Sequence, residues 1–158
     1  MKKLLFLFML PALVFSQEDI ERYKIYPTEN IYTSLKLDTA TGRIWQLQIG
    51  LGDDVDRVVT VLSDRLRARF KDDITSEYEN EFKEWQIENP NLTIKEYEEQ
   101  MYSLETYLSV TPVAQNGRYK LYPTDNMYNF ILQDVINGRS YQVQWNNDED
   151  KRFVEYFW

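Results

Sequence analysis

The chain contains neither cysteine nor histidine. Without cysteine, its stability has to come from burial of apolar and aromatic surface rather than from disulfide bonds. The two absences together exclude cysteine nucleophiles, catalytic triads that use histidine, ordinary zinc sites and the usual near-neutral pH switch. Because few enzyme mechanisms survive these exclusions, we predict a protein that is not an enzyme.

The chain also lacks an excess of positive charge. It has 18 lysines and arginines against 26 aspartates and glutamates, for a formal net charge of -8. A strongly acidic chain is repelled by phosphate backbones and by anionic lipid surfaces. Nucleic acid is therefore excluded as a predicted partner.

A hydrophobic run long enough to cross a membrane is missing as well. The apolar run from Leu4 to Phe15 follows two lysines and gives way to Gln17, and about a dozen residues fall short of the roughly 20 that a membrane span needs. This pattern is typical of a secretory signal peptide, which we predict over residues 1–16. We expect an exported protein, periplasmic or extracellular, with no membrane span after cleavage; an uncleaved N-terminal anchor is the alternative.

An internal repeat organises the rest of the chain. The segment RYKIYPTENIY at 22–32 returns as RYKLYPTDNMY at 118–128, an offset of 96 residues. Extended to residues 22–49 and 118–145, the comparison gives 13 identities in 28 positions. Similarity at a fixed offset is the signature of a duplicated structural unit. We predict two copies of one fold element.

Each copy has the pattern of an antiparallel β-meander. A short strand leads into Pro-Thr-Glu/Asp-Asn, a run typical of turns, and the second strand ends in a hairpin loop closed by Gly42 or Gly138. Fourth strands are predicted at 57–62 and 152–157. Asp38 and Asp134 stand before the two loops and are predicted to bond turn amides.

In the third strand of each copy, bulky apolar residues alternate with glutamines. We predict that the apolar side chains face the core and the glutamines face solvent. The glutamines are the candidate binding surface for a sugar, a peptide or a partner strand; the alternative is that they are merely solvated. The apolar residues are Trp45, Leu47 and Ile49 with Tyr141, Val143 and Trp145, and the glutamines are Gln46, Gln48, Gln142 and Gln144.

Acidic loops precede both fourth strands. Clustered carboxylates offer the hard oxygen ligands that Ca²⁺ takes in an oxidising compartment, although neither loop matches a calcium motif. A solvated loop is the alternative, and no other cofactor is expected. The residues concerned are Asp53, Asp54 and Asp56 in the first copy and Asp148, Glu149 and Asp150 in the second.

The segment between the copies has helical periodicity. Ser76 with Glu79 and Thr93 with Glu96 have the spacing of capping boxes, and Asn89-Pro90-Asn91 predicts a break. We predict a helical hairpin that covers one sheet face, with docking of a partner as the alternative. The predicted apolar stripes are Tyr78, Phe82 and Trp85 on the first helix and Tyr97, Met101, Leu104 and Leu108 on the second.

Two strings in the second copy carry a resemblance. GRYKLYPTDNMYNF at 117–130, followed by NGRSYQVQW at 137–145, resembles a repeat of uncharacterised secreted proteins of Bacteroidales and related bacteria. The resemblance implies a β-meander fold and a bacterial source. It implies no catalytic residues.

Together these patterns predict an α+β protein: two tandem antiparallel β-meander repeats forming one sandwich or open barrel, with a helical hairpin inserted between them. A single domain, 17–158, would comprise a β-repeat at 22–63, the helical insert at 64–115 and a β-repeat at 116–158. We expect a non-catalytic binding or structural module, such as a subunit of a bacterial envelope assembly, with a protein or glycan partner. The competing hypotheses are a carboxylate-based glycan-active enzyme and a calcium-stabilised structural protein.

Overall fold

The structure, a computed structural model, describes residues 20–50, 57–63 and 65–157. The predicted signal peptide and the first acidic loop, with Asp53, Asp54 and Asp56, lie outside these residues. The described chain forms two four-stranded antiparallel sheets and three α-helices, which confirms the predicted α+β class and the two β-meanders. The sheets remain separate and do not close into a barrel.

Each sheet is a meander in which every strand pairs with the next along the chain. A single turn of 3-10 helix, Glu149–Lys151, precedes the last strand. The first sheet consists of β1 Tyr23–Pro27, β2 Thr33–Asp38, β3 Ile44–Gln48 and β4 Val58–Val61. The second consists of β5 Tyr119–Pro123, β6 Asn129–Asp134, β7 Ser140–Gln144 and β8 Phe153–Tyr156.

The hairpin loops form as predicted. Asp38 accepts a backbone hydrogen bond from Ala40 at 2.9 Å, and Asp134 accepts one from Ile136 at 3.0 Å. Gly42 has a φ of 76°, a conformation that glycine adopts without strain. A side chain there would also meet the buried ring of Tyr119, about 3.1 Å from the position of an added Cβ. This glycine therefore serves both the turn and the contact between the copies.

A second role of the two aspartates was not predicted. Asp134 accepts two hydrogen bonds from the guanidinium of Arg118, at 2.9 and 2.7 Å, and both side chains are buried. The equivalent pair in the first copy, Arg22 and Asp38, lies 3.3 Å apart, and there the arginine is partly exposed. The same ion pair thus links β1 to β2 and β5 to β6, and it is more exposed to solvent in the first copy.

One core lies between the two sheets, and the two copies face it with opposite surfaces. The surface of the second sheet that carries Leu121, Leu132 and Val143 is called the front face, and the opposite surface is called the back face. The equivalent surfaces of the first sheet take the same names. The front face of the second sheet packs against the back face of the first sheet. The back face of the first sheet carries Leu35, Leu37, Ile44 and Gln46.

The prediction for the third strand is therefore right in one copy and wrong in the other. Val143 and Trp145 are buried as predicted, but Trp45, Leu47 and Ile49 lie on the outer, front face of the first sheet. The reason is the register of β2 and β3, which pairs Leu35 with Gln46 and Leu37 with Ile44. Burying these three apolar residues outweighs the cost of burying one glutamine.

The insert contains three helices where two were predicted. They are α1 Lys71–Glu88, α2 Ile94–Gln100 and α3 Leu104–Val110. The break after α1 and the capping box of Thr93 with Glu96 are confirmed, whereas the predicted helix start at Ser76 is wrong because α1 begins at Lys71. Ser103 caps α3 and divides the predicted second helix.

The helices pack chiefly on one another. Tyr97 is buried, and its ring centroid lies 5.1 Å from that of Trp85, 5.4 Å from that of Phe82 and 5.7 Å from that of Tyr78. The core between the sheets contains no residue of the three described helices. The helices are thus a separate aromatic-centred unit, and none of those described is long and apolar enough to cross a lipid bilayer.

Candidate functional site

The four candidate glutamines do not form one surface. Gln46 faces the core, only 2% exposed, and its Oε1 atom has no hydrogen-bond partner within the described chain. Gln48 donates to Asn147 of the second copy at 3.3 Å, which joins the two copies. The prediction that Gln46 faces solvent is therefore wrong.

The other two glutamines lie on the outer, back face of the second sheet. The amide of Gln142 donates to Asn129 at 3.3 Å, and that of Gln144 donates to the carbonyl oxygen of Lys151 at 2.9 Å. Both amides already have partners within the sheet or its loop. The structure therefore separates this pair from Gln46 and Gln48 by the thickness of the second sheet.

Two of the three carboxylates of the second acidic loop form ion pairs with neighbouring cations. Asp148 caps the 3-10 turn and lies 3.1 Å from Lys151, while Glu149 lies 3.4 Å from Arg152. Hydrogen bonds from the Lys151 ammonium and from the Asp150 amide lower the pKa of Asp148. Within residues 20–50, 57–63 and 65–157, no group of three or more carboxylates is placed to hold a metal ion.

A cationic pocket was not predicted. Its volume is about 590 Å³, and it lies between the segment after β4 and the front-face edge of the second sheet. Among the described residues, every charged side chain in its lining is an arginine. The lining residues are Ser63, Arg65, Leu66, Arg67, Pro112, Arg139, Tyr141, Val154 and Tyr156.

Arg67 is the most enclosed of these arginines. Its guanidinium lies over the ring of Tyr141, 4.8 Å from the centroid, and it donates to the Gly42 carbonyl at 3.2 Å and to Ser63 Oγ at 3.3 Å. Burial lowers its pKa from the ordinary value, although a guanidinium keeps its charge in any case. Among the described residues no carboxylate forms an ion pair with Arg67, and its Nε donor finds no acceptor.

Regular structure on three sides holds the pocket residues in place. The amides of Arg67 and Ala68 donate to the Thr41 carbonyl at 3.1 and 3.3 Å, which ties the segment after β4 to the first hairpin loop. Tyr141 and Tyr156 are cross-strand neighbours on β7 and β8, with ring centroids 5.4 Å apart. Arg139 follows Gly138 at the second hairpin.

The first copy forms a smaller, differently charged pocket in the equivalent place. Its volume is about 230 Å³, and Arg43 and Trp45 stand where Arg139 and Tyr141 stand in the second copy. Two aspartates, Asp38 and Asp73, line it together with three arginines, so most of its positive charge is offset. The comparison between copies singles out the larger pocket as the one whose described lining contains arginines and no carboxylate.

The sequence did hold a signal for this pocket. Arg65, Arg67 and Arg69 alternate within five residues of a strongly acidic chain. Alternation in an extended segment would place all three on one side. Arg65 and Arg67 do line the larger pocket together, whereas Arg69 lines the smaller one. Tertiary packing decides which side of this segment contacts Tyr141.

Comparison with known proteins identifies no relative. No protein family, no curated protein and no solved structure matches the chain.

Proposed function

We propose that the protein is a non-catalytic binding module whose arginine pocket receives an anionic group. The single observation that carries the proposal is that Arg65, Arg67 and Arg139 are the only charged side chains among the described residues that line the pocket. Such a lining is exceptional in a chain with a net charge of -8. By contrast, Arg22 and Arg118 each form an ion pair with an aspartate.

Arg67 is the pocket arginine most removed from water. A guanidinium removed from water interacts more strongly with an opposite charge than an exposed one does. Since no described carboxylate pairs with it, a bound anion would supply the missing charge. The acidic remainder of the molecule opposes non-specific accumulation of polyanions, so binding should require local fit.

The lining also indicates the chemistry of the ligand. Guanidinium groups bind carboxylate, sulfate and phosphate through paired hydrogen bonds. Tyr141 and Tyr156 add aromatic surface and hydroxyl groups at the same place. An acidic sugar residue or an acidic side chain of a partner protein fits both properties, in keeping with the glycan or protein partner expected from the sequence.

Export is part of the same proposal. The lysines and apolar run ahead of Gln17 support delivery to the periplasm or the exterior. In that setting the module would hold an acidic envelope glycan or an acidic partner subunit.

The test is isothermal titration of the purified protein with three anionic probes: sodium sulfate, a trimer of galacturonate and tetra-aspartate. Maltotriose serves as the uncharged probe. We expect at least one anion to bind and maltotriose not to bind. Arg65→Gln and Arg139→Gln should each weaken binding about tenfold, because each removes a charge-assisted hydrogen bond.

Lys83→Gln is the matched control. It removes the same unit charge from an exposed position on α1 and should leave binding unchanged. Absence of binding for all three anions would refute the proposal. So would an equal loss in the control, because binding would then reflect overall charge rather than the pocket.

A further inference from the structure

The front face of the first sheet is unusually apolar for an exposed surface. Ile25 is 64% exposed, and further large apolar side chains of β1, β3 and β4 share its face, whereas β2 between them presents Ser34 and Lys36. Exposed apolar surface of this kind commonly marks an interaction site. The other members are Tyr23, Ile49 and Val59, with the half-buried Trp45, Leu47 and Val61.

The same face is core in the second copy. Leu121, the equivalent of Ile25, is 4% exposed because the back face of the first sheet covers it. Tyr23, Leu47 and Ile49 of the first copy have Tyr119, Val143 and Trp145 as equivalents, all three buried. The exposed face is thus another version of a surface that already accepts a back face within this chain.

The opposite end of the molecule presents the back face of the second sheet. Ile131 is the equivalent of Leu35, and Tyr122 is the equivalent of Tyr26, which packs against the core. Ile131 is 37% exposed, whereas Leu35 is fully buried. The molecule therefore ends in a front face on one side and a back face on the other, and these two kinds of surface meet in its own interior.

We propose that the protein associates with further copies of itself head to tail, the back face of the second sheet of one molecule seating on the front face of the first sheet of the next. The contact continues the internal stacking of the two repeats. When two different surfaces pair in this way, the molecules form rings or open filaments rather than closed twofold dimers. This inference is independent of the arginine pocket.

Polar replacements indicate that the contact is weaker than the internal one. Lys36 replaces Leu132 on the front face, and its Nζ atom lies 4.5 Å from the ring centroid of Tyr23. Gln133 and Ser140 replace Leu37 and Ile44 on the back face. Fewer apolar contacts predict reversible assembly, and the net charge of -8 predicts that added salt strengthens it by screening repulsion.

The test is sedimentation velocity of the purified protein over a range of concentration and salt. The wild type should form oligomers as concentration rises, and more readily at high salt. Ile25→Glu blocks the exposed front face and Ile131→Glu blocks the exposed back face. Each variant alone should stay monomeric, because a charge buried in the contact weakens it by at least about tenfold.

An equimolar mixture of the two variants gives the decisive result. Each variant keeps one intact face, so the mixture should form a heterodimer that grows no further. Ile87→Glu, at an exposed position on α1, is the matched control and should assemble like the wild type. Circular dichroism would establish that all variants are folded.

Three results would overturn the proposal. The wild type could stay monomeric at every concentration. One single-face variant could still dimerise alone, which would show pairing of like faces. Assembly could survive both substitutions, which would place the contact elsewhere in the chain.

Discussion

The ion pairs Arg118–Asp134 and Arg22–Asp38 are equivalent residues in different surroundings. The first pair is buried, whereas Arg22 of the second is 43% exposed. A buried charge that loses its partner is costly, whereas an exposed one recovers hydration. The two copies therefore provide an internal comparison of one interaction at two depths.

We predict that Asp134→Asn lowers the free energy of unfolding by about 3 kcal/mol and that Asp38→Asn lowers it by under about 1 kcal/mol. Asparagine keeps an oxygen for the turn amides, but it removes the charge and replaces the oxygen that accepts from the arginine by an amide group that cannot accept. Urea denaturation of both variants measures the difference. Equal losses would contradict the account of burial.

Gln46 gives a second prediction for a single residue. Its Oε1 atom is buried without a partner in the described chain, beside the apolar core between the two sheets. Gln46→Leu should raise the free energy of unfolding by about 1 kcal/mol, because it removes the cost of an unsatisfied polar atom. Gln142→Leu, the equivalent change on the outer face, should stay within about 0.5 kcal/mol of the wild type. A clear loss of stability in Gln46→Leu, measured by urea denaturation, would show that this amide is satisfied.

Among the elements, the helical insert is bounded by two chain segments that lie side by side. Arg69 and Val113 form a parallel bridge, in which the Arg69 amide donates to the Pro112 carbonyl at 3.0 Å and the Ala114 amide donates to the Arg69 carbonyl at 2.7 Å. The ends of the insert are therefore held together by the sheet-bearing part of the chain. The helices in turn pack around Tyr97.

We predict that replacing Lys71–Val110 with a Gly-Ser linker of about four residues leaves the two sheets folded, since a short connection spans such close ends and the deletion removes no residue of the core. Far-ultraviolet circular dichroism should lose its helical signal and keep a cooperative thermal transition. A non-cooperative transition would show that the helices are needed to complete the fold.

The sequence predicted the elements well where a local rule decides them. The hairpin glycines, the turn aspartates and the Thr93 capping box act within a few residues, and each is confirmed. The start of α1 was missed because Phe70 makes no side-chain cap, and the stabilising signal is two acids in the first turn, Asp72 and Asp73.

Across the whole molecule, local patterning could not decide which face of each copy meets the other. In β3, taken alone, Trp45 and Leu47 indicate the front face, whereas Leu35 and Leu37 of β2 indicate the back face. Two apolar faces on one sheet leave the choice to tertiary packing. The arginine pocket was missed for the same reason, because the segment after β4 meets Tyr141 only when the copies stack with opposite faces.

The two copies bury opposite faces, and the lack of native cysteine makes a direct measurement of this arrangement practicable. Single cysteines would replace Ile25 and its equivalent Leu121, and Leu35 and its equivalent Ile131, and a thiol reagent would label each folded protein at low concentration. We predict rapid labelling of Ile25→Cys and Ile131→Cys, and labelling of Leu35→Cys and Leu121→Cys only as fast as the protein opens. Equal labelling rates at equivalent positions of the two copies would contradict the account.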